Sequence, residues 1–317
     1  MSFETLSNAL TTQQKFSDLF FSPGALSDKE KEEITKTFVL SIHAAASELA
    51  SSINYKDHRQ TQHEINRTKI IFKSVDLFRY LLATLNLWEV DPADFVEACQ
   101  AKDNFLHVRH ALETKNRSEG QKVVVFDCDD VIAGFRDRFN EWLLESKGIE
   151  TDPNSTEYYN TAGVKSVGME PEAIFREFIN QKGFQQLEPD NDVIAVMNNL
   201  KNEGYWIQIL TARPSDNLRC YYDTYLWLNK WNVPFDAIGF SGEKFRWLAD
   251  QDYYNDGSIV CMIDDSPKHS AELAKHGIRV VVPELPYNQE VQGKENVDRH
   301  SFKRLGVQGL MELIKNG

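Results

Sequence analysis

Long apolar runs, paired cysteines and an excess of basic charge are all missing from this 317-residue chain, and each absence removes a class of protein. No stretch approaches the roughly 18 consecutive apolar residues of a transmembrane helix. Met1 to Leu10 carries neither the basic start nor the apolar core of a secretory signal, so the expectation is a cytoplasmic protein with no membrane partner. The four cysteines, Cys99, Cys128, Cys220 and Cys261, show no CxxC spacing, which argues against a zinc knuckle or a disulfide framework and leaves free thiols. Lys and Arg number 35 against 48 Asp and Glu, a net charge of −13, which argues against nucleic acid or an anionic membrane held by bulk electrostatics. Internal repeats and low-complexity tracts are also missing.

What is present is the balance of an ordinary globular protein, with 41% apolar, 26% charged and 11% aromatic residues. The length suits about two domains, large enough to bury a core without disulfides or structural metal. The first part, 1–118, reads as all-α. Ser27-Asp28-Lys29-Glu30 opens a helix running through Ser52, with Ile34, Phe38, Ile42, Leu49 and Ile53 near helical spacing. A second helix from about Glu64 to Leu87 carries Ile65, Ile71, Val75, Phe78, Leu82 and Leu85. Asp91-Pro92 starts a third, since proline suits a first helical turn. The polar stretch from Glu113 to Gly120 is the natural linker.

The pattern then changes. Val123-Val124-Val125-Phe126 is a short β-branched run that ends abruptly in Asp127, as expected of a strand buried on both faces. Similar runs at Trp206 to Leu210, Ile259 to Ile263 and Ile278 to Val282 alternate with helical stretches. That alternation predicts an α/β Rossmann-like domain over 119–317 with a parallel sheet. Ligands of such sheets bind beyond the carboxyl ends of the strands, where this chain places Asp127-Cys128-Asp129-Asp130, Thr211 and Asp264-Asp265. Each alone is more often a turn former or a helix cap.

Their order is more specific. Asp127-Cys128-Asp129, Thr211 within Ile209-Leu210-Thr211-Ala212-Arg213, Lys244 within Gly242-Glu243-Lys244, and Ile263-Asp264-Asp265 together resemble the four motifs of the haloacid dehalogenase superfamily of phosphohydrolases. Phosphorelay receiver domains use similar residue types, but with the acidic pair first rather than last. The resemblance implies that Asp127 is the nucleophile forming an aspartyl-phosphate and that Asp129 is the acid and base. It implies phosphoryl oxygens held by Thr211, Ala212 and Lys244, and Mg²⁺ held by Asp127, Asp129, Asp264 and Asp265, with Asp265 acting directly or through water. A hard cation is what this chemistry needs, because an anionic nucleophile must approach an anionic phosphate. Cys128 is expected to be a packed small residue.

About eighty residues separate Asp129 from Thr211, too many for one crossover helix, so a small helical cap is expected at about 134–187. Its Phe135, Phe139, Trp142, Tyr158 and Tyr159 could stack on a base, but core is the preferred reading for most of them. Within the superfamily the chain resembles the 5′(3′)-deoxyribonucleotidases. The residues concerned are Phe126 to Phe135, Glu243-Lys244-Phe245-Arg246-Trp247 and Pro286-Tyr287-Asn288-Gln289. That branch usually has Gly in place of Asp130 and an acidic residue in place of Gly134.

The helical part resembles the all-α dUTPase and MazG-like NTP pyrophosphohydrolases. The resemblance rests on Glu48, Ile53-Asn54-Tyr55-Lys56, Asp76 in Val75-Asp76-Leu77-Phe78, Leu87 to Pro92, and Lys102 with Arg109. That family pairs carboxylates one turn apart to bind Mg²⁺, but here Ala45 and Lys73 replace the partners of Glu48 and Asp76. The expectation is a catalytically degenerate domain that dimerises or still holds a nucleotide through Glu48, Asp76, Lys102 and Arg109. For the whole chain it is a Mg²⁺-dependent phosphatase of 5′-(deoxy)nucleoside monophosphates. The alternatives are a phosphatase of nucleic-acid 3′ ends and a nucleotide-sensing interaction protein. The charge is unevenly spread, with 16 acidic and 14 basic residues in 1–118 against 32 and 21 in 119–317. Part of the acidic excess is thus assigned to the crevice.

Overall fold

The computed structural model describes residues 3–53, 65–152, 154–157, 164 and 168–316. Asn54, Tyr55, Lys56, Glu64, Tyr158 and Tyr159 lie outside the described residues. The chain divides into two compact units, Met1–Gln100 and Ala101–Gly317. Among the described residues no helix is long and apolar enough to cross a membrane.

The first unit is helical: α1 (Phe3–Ser17), α2 (Asp28–Ala50), α3 (Arg67–Leu87) and the start of α4 (Pro92–Glu113). The expected start of α2 is a full capping box, in which Ser27 Oγ accepts from the Glu30 amide and the Glu30 carboxylate accepts from the Ser27 amide. Asn66 caps α3 by accepting from the Lys69 amide at 2.8 Å. Helix α1 was not foreseen in the sequence; its Leu6 and Leu10 close on Leu82 of α3, with Phe78, Leu85, Phe95 and Val96 around them. This small core covers only the C-terminal half of α3. Ile65, Ile71 and Val75, read from the sequence as an apolar face, are 55%, 61% and 46% exposed.

The second unit is a six-stranded, all-parallel sheet in the order β3-β2-β1-β4-β5-β6. The strands are β1 (Val123–Phe126), β2 (Trp206–Thr211), β3 (Ala237–Phe240), β4 (Ile259–Ile263), β5 (Val280–Pro283) and β6 (Val297–His300). Four of these are the expected apolar runs. The two that were not expected, β3 and β6, are the sheet's edges. An edge strand keeps one side open, and Val297-Asp298-Arg299-His300 reads as polar for that reason. Along β1, Val124 and Phe126 enter one apolar layer while Val123 and Val125 enter the other. Successive strand residues point to opposite faces, and helices cover both. The first face takes α7 (Asn191–Asn202), α8 (Leu218–Lys230) and α12 (Phe302–Asn316); the second takes α9 (Lys244–Ala249), α10 (Asp252–Asn255) and α11 (Pro267–Lys275).

Between β1 and α7 the chain leaves the sheet and returns beside its point of exit. Gly134 N donates to Glu188 O at 2.9 Å, and Asp190 N to Ile132 O at 2.8 Å. The excursion holds α5 (Phe135–Lys147), α6 (Pro171–Asn180) and a 3₁₀ turn at Gly183–Gln186. Phe135, Phe139, Trp142, Phe178 and Phe184 are buried against one another, with ring centroids 5.3–5.9 Å apart. Burying each contributes about 1.5–3 kcal/mol, and the described aromatics expected in this segment are core residues, continuous with the apolar layer on the first face of the sheet.

Candidate active site

The register of the sheet assembles the acidic residues. Phe126 pairs with Ile263, so the next residue on each strand, Asp127 and Asp264, comes off neighbouring strand ends. The Asp127 amide donates to Ile263 O at 2.8 Å and the Asp264 amide to Val281 O at 3.2 Å, which continues the ladder to the carboxylates themselves. Asp127 Oδ1 then accepts from the Cys128 amide at 2.7 Å. The turn that follows folds back on itself, with Ile132 N and Ala133 N both donating to Cys128 O. Asp130 sits within it at φ 53°, a left-handed conformation that a short polar side chain tolerates.

Lys244, the first residue of α9, is fully buried. Its Nζ lies 2.8 Å from Asp127 Oδ2 and 2.7 Å from Asp264 Oδ2. Burial works against its charge, but the two carboxylates outweigh it and hold the ammonium above its ordinary range. Asp264 Oδ1 accepts from the Ser266 amide at 2.9 Å. Asp265 completes the group: Asp127, Asp264 and Asp265 are buried, and each offers a carboxylate oxygen within 4.8 Å of the others. Desolvation raises Asp127 above the usual carboxylate range, against the pull of Lys244. It also raises Asp265, helped by the neighbouring Asp127, Asp130 and Asp264. Asp265 Oδ1 is a buried oxygen with no hydrogen-bond partner among the described residues.

These residues fit a divalent cation. One ammonium, paired with Asp127 and Asp264, stands among three buried carboxylates, the donors are hard oxygens, and one oxygen, Asp265 Oδ1, is left without a hydrogen-bond donor of its own. Asp127, Asp264 and Asp265 would hold it.

Asp129 belongs to a second arrangement. Arg213, two residues past the end of β2, is buried and grips both oxygens of the Asp129 carboxylate, with Nε 2.9 Å from Oδ2 and Nη2 2.6 Å from Oδ1. Its Nη1 donates to Thr224 Oγ1 at 3.1 Å, and its guanidinium lies 4.2 Å from the centroid of the Phe184 ring. Burial raises Asp129 above the ordinary carboxylate range, and Arg213 opposes the rise. Thr211 is fully buried at the strand end, its Oγ1 accepting from the Arg213 amide at 3.3 Å, while Ala212 is exposed. Cys128 is completely buried, which pushes its thiol up to about 12 and makes it inert packing.

The structure thus brings Asp127, Lys244, Asp264 and Asp265 into direct contact or near contact, with Asp129 in the loop two residues past Asp127. The sequence reading gave no role to Arg213, Tyr287 or Asn288, although all three lie inside motifs it singled out. In the helical unit, Lys73 Nζ bridges Glu48 Oε2 at 2.5 Å and Asp76 Oδ2 at 3.1 Å. Lys102 and Arg109 lie in the second unit: Lys102 Nζ donates to Tyr222 Oη at 2.6 Å, and Arg109 lies near Tyr225, whose phenol is pushed up by burial despite that neighbouring charge.

Residues 121–304 match the family model described as 5′ nucleotidase, deoxy (pyrimidine), cytosolic type C protein. The chain belongs to this family. As a member it is a phosphoric monoester hydrolase of the haloacid dehalogenase type, and phosphatases of that type generally use a divalent metal. No curated protein matches the chain. Among solved structures, a haloacid dehalogenase-like hydrolase from Streptococcus pneumoniae is similar at 12% identity, covering 59% of this chain and 98% of that one, with a TM-score of 0.42. A hydrolase of the same superfamily from Ehrlichia chaffeensis is similar at 13% identity, 63% and 98% coverage and a TM-score of 0.36. Protein tyrosine kinase A of Mycobacterium tuberculosis is similar at 14% identity, 62% and 100% coverage and a TM-score of 0.44.

Proposed function

We propose that this nucleotidase is a cytoplasmic, Mg²⁺-dependent phosphatase of nucleoside 5′-monophosphates, with pyrimidine deoxynucleotides preferred, working through an aspartyl-phosphate. The observation that carries the reading is the buried meeting of Asp127, Asp264 and Asp265 with Lys244 beyond the sheet, in a chain of the deoxy pyrimidine nucleotidase family. Asp127 attacks phosphorus, and the bond to the leaving nucleoside oxygen breaks. Asp129 gives that oxygen a proton, its carboxyl being raised by burial against the opposing pull of Arg213. It then takes a proton from the water that attacks the acyl phosphate, releasing inorganic phosphate and restoring Asp127. Thr211 Oγ1, the Ala212 amide and Lys244 Nζ hold the non-bridging oxygens. Bound between Asp127, Asp264 and Asp265, Mg²⁺ would neutralise phosphoryl charge so that one anion can approach another. The excursion of 134–187 acts as the cap, which excludes water and sets the substrate.

Domains 1–118 and 119–317 divide the work in this proposal. The helical part is catalytically silent, because the Lys73 ammonium stands between Glu48 and Asp76 where a cation would be needed. Its exposed Ile71, Phe72 and Val75 support a homodimer through this part, which sedimentation would reveal.

A phosphate-release panel of ribo- and deoxynucleoside monophosphates with Mg²⁺, run beside Asp127→Asn, tests the reading. The variant is expected to release no phosphate from any of them, and retained turnover would overturn the mechanism. A 3′-phosphorylated oligonucleotide hydrolysed faster than every mononucleotide would instead favour a nucleic-acid end phosphatase.

A further inference from the structure

The segment Pro286-Tyr287-Asn288, just beyond β5, has no part in the chemistry above, yet two of its side chains are directed at one member of the acidic cluster. Asn288 is fully buried. Its Nδ2 donates to Asp265 O at 3.0 Å and to Pro283 O at 2.9 Å, and its Oδ1 accepts from Leu285 N at 3.1 Å and Arg299 Nε at 2.9 Å. With four bonds made, its amide has one orientation. The hydroxyl of buried Tyr287 stands 2.5 Å from Asp265 Oδ2 and 3.1 Å from Asp130 Oδ2. On the ring of Tyr287 lies the Arg136 guanidinium, 5.0 Å from the centroid, and Arg136 also donates to Ser155 O in the cap segment at 2.6 Å. Asp265 is therefore gripped twice by one short segment, at its main-chain carbonyl and at one carboxylate oxygen. Its other oxygen, Oδ1, is the one without a partner among the described residues.

We propose that Tyr287 is a positioning residue for the divalent cation, fixing Asp265 Oδ2 so that Oδ1 is presented to the space shared with Asp127 and Asp264. The inference rests on the cation reading of the preceding subsection. A carboxylate's terminal torsion is soft and roughly two-fold, so an unrestrained Asp265 would spread over orientations that cannot all serve as ligands. A hydroxyl is suited to the task. It donates a bond but carries no charge, so the anionic character of Asp265 remains available, whereas Lys or Arg in its place would neutralise the ligand. Burial keeps water from replacing it. Groups that orient a metal ligand in this way are commonly worth about 10–100-fold in metal affinity.

The test is Mn²⁺ binding to the full chain without substrate, followed by electron paramagnetic resonance. Tyr287→Phe keeps the ring beneath Arg136 and removes only the hydroxyl. Its Mn²⁺ dissociation constant should rise by about 10–100-fold. Asp265→Asn alone should also weaken binding, and adding Tyr287→Phe to it should cause no further loss, because the hydroxyl acts through the carboxylate. An unchanged dissociation constant in Tyr287→Phe, or an undiminished loss in the Asp265→Asn background, would overturn the assignment. An unsubstituted chain that binds no Mn²⁺ would instead overturn the cation reading, and the assignment with it.

Discussion

Arg213 holds Asp129 by a two-pronged ion pair inside the protein, with the guanidinium side chain wholly buried and the carboxylate 18% exposed. Arginine's planar fork suits this bidentate geometry, which lysine cannot reproduce. The pair fixes the orientation of the Asp129 carboxyl group, and the Phe184 ring packs against the Arg213 guanidinium. If Asp129 is the general acid, Arg213→Lys should lower kcat on nucleoside monophosphates by about 10²-fold. The loss on p-nitrophenyl phosphate, whose leaving group departs without a proton, should be much smaller. Equal losses on both substrates, measured by steady-state kinetics, would argue that Arg213 serves folding alone.

Lys244→Met removes the ammonium that faces Asp127 and Asp264 and leaves two buried carboxylates without it. Breaking a buried pair in this way costs about 3–5 kcal/mol, and urea unfolding in a metal-free buffer should show a loss of that order. Saturating Mg²⁺ should return part of the stability, since a ligand that binds only the folded state favours it.

Asp236 gives a pH signature far from the cation site. Its Oδ2 accepts from the Ile207 amide at 3.0 Å, and its Oδ1 from Lys201 Nζ at 2.8 Å and Lys115 Nζ at 3.4 Å. Burial alone would raise this carboxyl, but the Lys201 and Ile207 hydrogen bonds and the two lysine charges outweigh it and hold it low. A depressed carboxyl adds stability above its unfolded value of about 4, and that stability fades as pH falls through the lower folded value. Asp236→Asn should therefore melt below the unsubstituted protein at pH 7, with the gap closing in acid below about pH 4. A gap that persists undiminished into acid would show that charge is not the cause.

Gly183 leaves no room for a side chain. A Cβ there would stand 2.3 Å from Phe178 Cε2, and that ring is enclosed by Phe135, Phe139, Trp142 and Phe184. Gly183→Ala should cost about 1–3 kcal/mol through overpacking. By calorimetry the transition that includes the sheet unit should fall by about 2–4 °C for each kcal/mol lost.

The sequence showed most where burial on both faces left no choice of residue. The strands β1, β4 and β5 read as apolar runs, β2 is broken only by Gln208, and the carboxylates stood at the ends of β1 and β4. It showed least where one side of an element is open. Asp298 and Arg299 hide β6, Gly239 interrupts β3, and α1 contributes only two buried leucines to a thin core. Arg213 and Tyr287 escaped for a different reason. Their importance lies in a carboxylate 84 or 22 positions away in sequence, and spacing alone cannot show which long side chain reaches which acid.

The pairing of Phe126 with Ile263 also bears on how the folded sheet breathes. The two central strands end side by side in carboxylates, so the ladder is sealed at one end by apolar packing and crowded at the other by like charge, with Lys244 between Asp127 and Asp264. Local opening should begin at the crowded end. The amides of Asp127 and Asp264 should therefore exchange with solvent faster than those of Val124 and Val125, and occupation of the site by a cation should slow the first pair far more than the second. On this view the ion would also act as a rivet between neighbouring strands, making the enzyme most cohesive when it is ready to turn over.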